Sequence, residues 1–102
     1  MNMTQSFIPT HPGEVLKDEL SYRGIPQKDF AERIGVPYTM LNDILNAKRP
    51  LSSANAILVE RALGISADLL IGLQTDYNMF LARRNKTIRT KAARIQPYPA
   101  LA

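Results

Sequence analysis

The stretch QKDFAERIGVPYTMLNDILN, residues 27–46, decides the fold. Helix-favouring residues stand on both sides of a break at Gly35-Val36-Pro37, so the chain interrupts a helix after only about two turns. The interruption must serve something that one longer helix could not.

The break suits two short helices that cross at a steep angle. The turn between such helices needs a residue that tolerates positive φ, and the inner face needs a small side chain where the two backbones approach. Gly35 and Ala31 meet these two requirements. The sequence therefore predicts that the second helix of the pair is a separate rod that faces outward.

Five helices and no strand are predicted for the chain. Their expected bounds are His11-Pro12 to Gly24, Pro26 to Ile34, Pro37 onward, Ser52 or Ser53 to Gly64, and Ser66 to Arg84. The apolar residues expected on their inner faces are Val15, Leu16, Leu20, Phe30, Ala31, Ile34, Leu41, Ile44, Leu45, Ile57, Val59, Leu63, Leu70, Leu73, Tyr77, Phe80 and Leu81. Short links between the helices favour one compact all-α bundle.

Composition narrows the protein class. With 102 residues and no cysteine, the chain is one small domain without disulfides or thiolate metal sites. Its apolar runs are shorter than the roughly 20 residues that span a bilayer, and no signal peptide opens it. We therefore expect a cytoplasmic protein with no membrane partner, divided into an N-terminal extension (residues 1–8), a helical domain (residues 9–84) and a basic tail (residues 85–102).

The positive charge is concentrated at the C-terminus. The net charge of +4 arises because residues 83–102 hold six Lys and Arg and no acid, whereas residues 1–82 hold seven Lys and Arg and nine acids, a net −2. Bulk basicity therefore says nothing about the partner of the helical domain.

The spacing of small and apolar residues in the opening stretch resembles the helix-turn-helix of phage-repressor-like (XRE or Cro/CI) DNA-binding domains. Counted from Gln27, Ala31 is fifth, Gly35 is ninth, and Leu41 and Ile44 are fifteenth and eighteenth. One amphipathic helix precedes this unit and two follow it, as that fold requires. The resemblance implies a five-helix phage-repressor-like domain whose third helix enters the major groove, followed by a C-terminal tail.

Phrases spread over most of residues 9–84 carry a second resemblance. They are PTHPGEVLKDEL (9–20), GIPQ (24–27), AERIGV (31–36), ILNAKRP (44–50), ALG (62–64) and LQTDY (73–77). Together they resemble the HigA family of antitoxins. That resemblance implies an antitoxin dimer that represses its own operon, and a HigB-type toxin, a ribosome-dependent mRNA interferase, as its partner.

The expected DNA contacts follow from how a helix-turn-helix docks, with the N-terminal part of its second helix aimed at base edges. The Asn42 amide is able to pair with adenine N6 and N7, and Thr39 offers a hydroxyl and a methyl group. Gln27, at a helix N-terminus, suits a phosphate. The full set of expected contacts with double-stranded operator DNA is Gln27, Tyr38, Thr39, Asn42, Asp43, Asn46, Lys48 and Arg49.

Two residues depart from the pattern of many relatives. Asp43 would repel phosphates unless it accepts a bond from cytosine N4, pairs with Arg49 or points aside. Pro26 removes a side-chain cap that is typically worth about 1 kcal/mol. We therefore expect DNA binding that is weak or depends on dimerisation and on the toxin.

Two protein partners are expected. Paired half-sites about 34 Å apart require a two-fold homodimer, and the fifth helix, about 27 Å long, extends far enough to form its surface. The candidate dimer residues are Tyr77, Met79, Phe80 and Leu81, which alternatively seal the core of their own chain. A toxin with a basic RNA-binding face would fit the acidic residues Glu14, Asp18 and Glu19, which are otherwise a solvated helix face.

The basic tail has prolines at 97 and 99 and few large apolar residues, so a frayed or partner-ordered segment is expected. Three interpretations stay open: an arm on the DNA backbone, a segment that orders on the toxin, or a contribution to solubility alone.

No catalytic, metal or cofactor site is expected. The lone His11 has no metal-ligand partner at suitable spacing, Ser52 and Ser53 have no base, and no glycine-rich phosphate loop occurs. The sequence predicts a dimeric DNA-binding antitoxin with autorepressor activity. The alternatives are a stand-alone repressor without a toxin, and a toxin-binding module with little DNA affinity.

Overall fold

The computed structural model of the protein describes residues 8–100, which form six helices and no strand. The helices are α1 (Pro12–Arg23), α2 (Gln27–Ile34), α3 (Tyr38–Leu45), α4 (Ser53–Leu63), α5 (Ala67–Arg84) and α6 (Lys86–Ala93). None of these helices is both long and apolar enough to cross a membrane. The all-α prediction is confirmed, but the predicted count of five is wrong because the tail contains α6.

The helix ends follow from local capping signals. The hydroxyl groups of Ser52 and Ser66 accept the backbone N–H groups of Asn55 and Leu69 at 3.1 and 3.2 Å, which begins α4 and α5. Helices α1, α2 and α4 each end at a glycine whose φ lies between 69° and 76°. The expected bounds were therefore close to the observed ones.

The hydrophobic core is formed by the first five helices, and each of them contributes buried side chains. Its buried apolar residues are Leu16, Leu20, Phe30, Ala31, Leu41, Ile44, Leu45, Leu51, Ala56, Val59, Leu63 and Leu70. The inner-face prediction is wrong for Leu81, which is 49% exposed, and for Ile57, which is 59% exposed. Ala56 faces the core instead, and the next residue of a helix points about 100° away.

The beginning of α1 is packed directly against the end of α3. A Cβ atom on Gly13 would overlap the carbonyl oxygen of Ile44, so only glycine permits this approach. Gly13 and the preceding Pro12 are both buried. The Pro-Gly phrase of α1 therefore sets where the C-terminal end of α3 lies.

Helix α6 corrects the expectation of a frayed tail for residues 86–93. The side chain of Asn85 accepts the backbone N–H of Ile88 at 3.1 Å and caps the helix. Every side chain of α6 is exposed, and its main helix neighbour is α5. Because α6 buries no apolar face, its sequence lacks the hydrophobic periodicity that would predict a helix.

Two glycine substitutions test the contact between α1 and α3. Gly13→Ala is expected to lower the free energy of unfolding by about 1–3 kcal/mol or more, because the added methyl group has no space. Gly72→Ala is the matched control, since a Cβ there would meet nothing within 4 Å. This control should stabilise α5 by about 0.5–1 kcal/mol. Urea denaturation measures both, and equal effects of the two substitutions would contradict the packing described.

Candidate nucleic-acid interface

Helix α3 separates its apolar and polar residues onto opposite sides. Leu41, Ile44 and Leu45 are at most 2% exposed and face the core. At about 100° per residue, the remaining side contains a continuous polar arc. The arc comprises Tyr38, Thr39, Asn42, Asp43 and Asn46. The prediction of a separate, outward-facing helix is confirmed, with Gly35 at φ 73° in the turn before it.

Gln27 lies against Asn42 across the turn. The Asn42 Nδ2 atom donates to Gln27 Oε1 at 3.3 Å, which joins the start of α2 to the middle of α3. Gln27 was expected to meet a phosphate, and the structure gives it this internal contact as well. The bond holds the Asn42 amide in one orientation, in which Oδ1 and the second Nδ2 hydrogen are left for another partner.

Lys17 of α1 joins the arc and was missed in the sequence. Its Nζ atom donates to Asn46 Oδ1 at 2.9 Å, and Asn46 Nδ2 donates to the Asn42 carbonyl at 2.8 Å. The ammonium group therefore stands at the C-terminal edge of the arc. Lys17 and Asn46 are 29 residues apart, so no local pattern connects them, although Lys17 does interrupt the acidic residues of α1.

The loop after α3 holds Lys48 and Arg49, both exposed, at the same edge. The Lys48 N–H donates to the Asp43 carbonyl at 2.8 Å, and Ala47 adopts φ 60°, so the helix ends in a tight left-handed turn. Farther along, the buried side chain of Gln74 accepts the Leu51 N–H at 2.8 Å. Both ends of the loop are thus fixed by hydrogen bonds.

His11 is a buried cap of α1 that also contacts α5. Its Nδ1 atom accepts the Gly13 N–H at 2.9 Å, and its ring meets the Tyr77 ring edge-on at 4.9 Å. Burial lowers the pKa of His11, while Glu14 and the backbone of Arg49 act weakly in the opposite direction. The imidazole is therefore neutral near pH 7, as an acceptor at Nδ1 requires.

Asp43 lies half-buried on the arc without an ion pair. Within residues 8–100 the salt bridge joins Arg23 to Glu19 at 2.9 Å, both on α1, so the suggested pairing of Asp43 with Arg49 does not occur. The carboxylate is left facing the side of α3 where DNA contacts were predicted. It therefore reduces the positive charge that Lys17, Lys48 and Arg49 bring there.

The acidic residues of α1 fall into two groups. Glu19 is engaged by Arg23, whose guanidinium also donates to the Leu63 carbonyl at 2.8 Å and so ties α1 to the end of α4. Glu14 and Asp18 are exposed and one helical turn apart. Of the three residues predicted to meet a toxin, these two remain as an accessible acidic pair.

The predicted dimer residues differ in exposure. Met79 and Leu81 are 46% and 49% exposed, whereas Tyr77 and Phe80 are half-buried in their own chain. The Arg84 guanidinium lies over the Phe80 ring at 5.1 Å. Met79 and Phe80 border an open groove of about 560 Å³, whose other lining includes Pro9, Thr10, Leu73 and Asp76.

Comparison with known proteins agrees with this geometry. A helix-turn-helix family profile matches residues 23–70. The virulence-associated protein I of Dichelobacter nodosus is 29% identical over 77 residues, which are 74% of this chain and 71% of that protein. The structure of an addiction module antidote protein of the HigA family from Coxiella burnetii is 25% identical with a TM-score of 0.77, and covers 90% of this chain and 100% of its own.

A second solved structure is that of the Pseudomonas aeruginosa antitoxin HigA with the higBA promoter. It is 31% identical to this protein, covers 87% of this chain and 97% of its own, and superposes with a TM-score of 0.77. The chain therefore belongs to the HigA family of antitoxins and carries an XRE-type helix-turn-helix.

Proposed function

We propose that the protein is an antitoxin that binds operator DNA as a dimer, represses its own operon and neutralises a HigB-type mRNA interferase. The observation that carries the proposal is the polar arc of α3, held outward by the turn at Gly35 and oriented by Gln27. The solved relative with its promoter DNA supports it. Operator DNA and the mRNA interferase are both in the cytoplasm, so we infer that the protein acts there. The proposed activity is binding and includes no catalytic step.

Asn42 is the proposed base-reading residue. Its Oδ1 atom would accept from adenine N6, and its remaining amide hydrogen would donate to N7, in the major groove. Because Nδ2 already donates to Gln27, the amide is held before DNA arrives, which lowers the entropy lost on binding. Gln27 therefore acts as a positioning residue for Asn42.

The neighbours of Asn42 take complementary tasks. Thr39 and the exposed Tyr38 flank it toward the start of α3, where base edges and phosphates are both within reach. The cations at the other end of the arc neutralise phosphates: Lys17, Lys48 and Arg49. Asn46 bridges this cationic edge to Asn42 through the bonds described above. Asp43 favours sites that offer a cytosine N4.

A second copy of the chain is the proposed partner of the groove on α5. Met79 and Phe80 line this groove. The exposed Leu81 and the half-buried Tyr77 are near them along α5 and would extend the contact. A two-fold pairing through this region would present two α3 helices to half-sites about 34 Å apart.

The exposed pair Glu14 and Asp18 on α1 is the proposed toxin contact. An mRNA interferase binds a polyanion and therefore presents cations, which an acidic helix face would cover. Glu19 contributes less, because its carboxylate already pairs with Arg23.

Asn42→Ala is expected to remove about 1–3 kcal/mol of discrimination at one adenine of the operator. Affinity is measured for a duplex taken from directly upstream of the gene and for a random duplex of equal length, each over a salt series. Wild-type protein should prefer the upstream duplex, and Asn42→Ala should lose most of that preference. Gln27→Ala should cause a smaller loss in the same direction.

Thr75→Ala, at an exposed polar residue of α5, is the control and should keep the wild-type preference. Equal binding of both duplexes by the wild-type protein would contradict operator recognition and favour a toxin-binding module with little DNA affinity. A preference that survives Asn42→Ala would exclude the proposed base contact.

Co-expression with the product of the adjacent gene tests the toxin partner. The tagged wild-type protein should co-purify with a small basic protein, and Asp18→Lys should reduce its recovery severalfold while leaving the preference for the upstream duplex over the random duplex unchanged. Glu32→Lys, an exposed acidic residue on α2, is the matched charge reversal. If no partner is recovered and the operator still binds, the protein is a stand-alone repressor.

A further inference from the structure

We propose that α6 is an arm that binds the phosphate backbone of double-stranded DNA. The inference deepens the proposed function and rests on it for the choice of DNA. It concerns phosphates alone, so the arm adds affinity and salt dependence but no base preference.

The charge of the chain is separated along its length. The region before residue 83 has a net charge of −2, and residues 83–102 have +6 without a single acid. Among residues 8–100 none of these cations forms an ion pair, and Arg84 contacts the Phe80 ring instead. The net negative charge of the region before residue 83 disfavours its approach to DNA. The cations of α6 would offset that repulsion.

Three of the four cations in residues 86–94 lie on one half of α6, and Lys91 lies outside that half. At about 100° per residue, Lys86, Arg89 and Arg94 fall on one side of the helix, with Thr90 and Ala93 between them. This cationic face borders a shallow surface cavity. The small side chains between the cations permit close approach to a phosphodiester chain, and the Thr90 hydroxyl is a further donor.

Helix α6 has little that stabilises it within its own chain. It has only eight residues, below the length at which isolated helices persist, and none of them is buried. Lys86 and Arg89 stand one turn apart and repel each other. A row of phosphates would convert that repulsion into attraction, so DNA would stabilise the helix as well as bind it.

The chain as a whole is more extended than a compact domain of its length. The Cα radius of gyration is 17.5 Å, against about 13 Å for a compact domain of this length, and the longest dimension is 55 Å. The toxin fits this face less well, because an RNA-binding partner presents cations that would repel it. Solubility alone would require neither the Asn85 cap nor the placement of Lys86, Arg89 and Arg94 on one half of the helix.

The test replaces the cationic face in the full chain by Lys86→Gln, Arg89→Gln and Arg94→Gln, which preserve helix propensity. Binding is measured over a salt series to the upstream duplex and to the random duplex. The plot of log binding constant against log salt should become shallower for both duplexes. Its slope should lose up to about 2.7 in magnitude, at about 0.9 for each phosphate that the variant no longer neutralises. The ratio of the two affinities should stay at its wild-type value.

Lys91→Gln is the single-substitution control, because Lys91 lies about 130° from the centre of the tested face, and it should leave the slope close to wild type. A triple variant that keeps the wild-type slope on both duplexes overturns the proposal, as does a wild-type protein that binds neither duplex. If the wild-type protein binds both duplexes equally and the triple variant still lowers the slope, the arm stands and operator recognition fails.

Discussion

The approach of Gly13 to the Ile44 carbonyl is the constraint on which the rest of the structure depends. It brings α1 and α3 closer than any residue with a Cβ atom permits. The neighbouring His11 accepts the Gly13 N–H and packs on Tyr77, so the same cluster also holds α5. The end of α3, the loop that follows it and the long helix behind it are thus fixed together.

This cluster matters because α3 has little stability of its own. The helix has eight residues, begins after Pro37 without a side-chain cap, and has no acidic residue in its first turn. Helix α2 likewise begins after Pro26 without a side-chain cap. Packing against α1 and the core must therefore hold both helices in place. The geometry of the proposed DNA contact and the stability of the domain depend on the same few residues.

The first five helices could be predicted because their signals are local. Glycines with positive φ, serine caps and apolar residues at helical spacing each act within a few positions of the chain. The polar arc of α3 could also be predicted, since it follows from the angular spacing of one helix. Helix α6 was not predicted, because it has no buried apolar face and its residues therefore show no inner stripe at helical spacing.

The sequence also did not predict the hydrogen bonds between residues that are far apart along the chain. The bonds that Lys17 donates to Asn46 and that the Leu51 N–H donates to Gln74 join residues 29 and 23 positions apart. The periodicity of a helix shows which side faces the core, but not which residue of another helix lies opposite. The support of Asn42 by Gln27, across the turn, is of the same kind. The sequence therefore identified the candidate side chains on α3 better than it identified what orients them.

NMR titration of the isotope-labelled protein with the upstream duplex tests most directly whether the polar arc enters the DNA groove. Groove binding by α3 predicts that the side-chain amide signals of Asn42 and Asn46, and the backbone amides of Tyr38–Leu45, shift most at low salt. The signals of Ile57 and Leu58, on the exposed side of α4, should stay nearly unchanged. The largest shifts at Ile57 and Leu58, with those of Asn42 and Asn46 unmoved, would contradict recognition through α3.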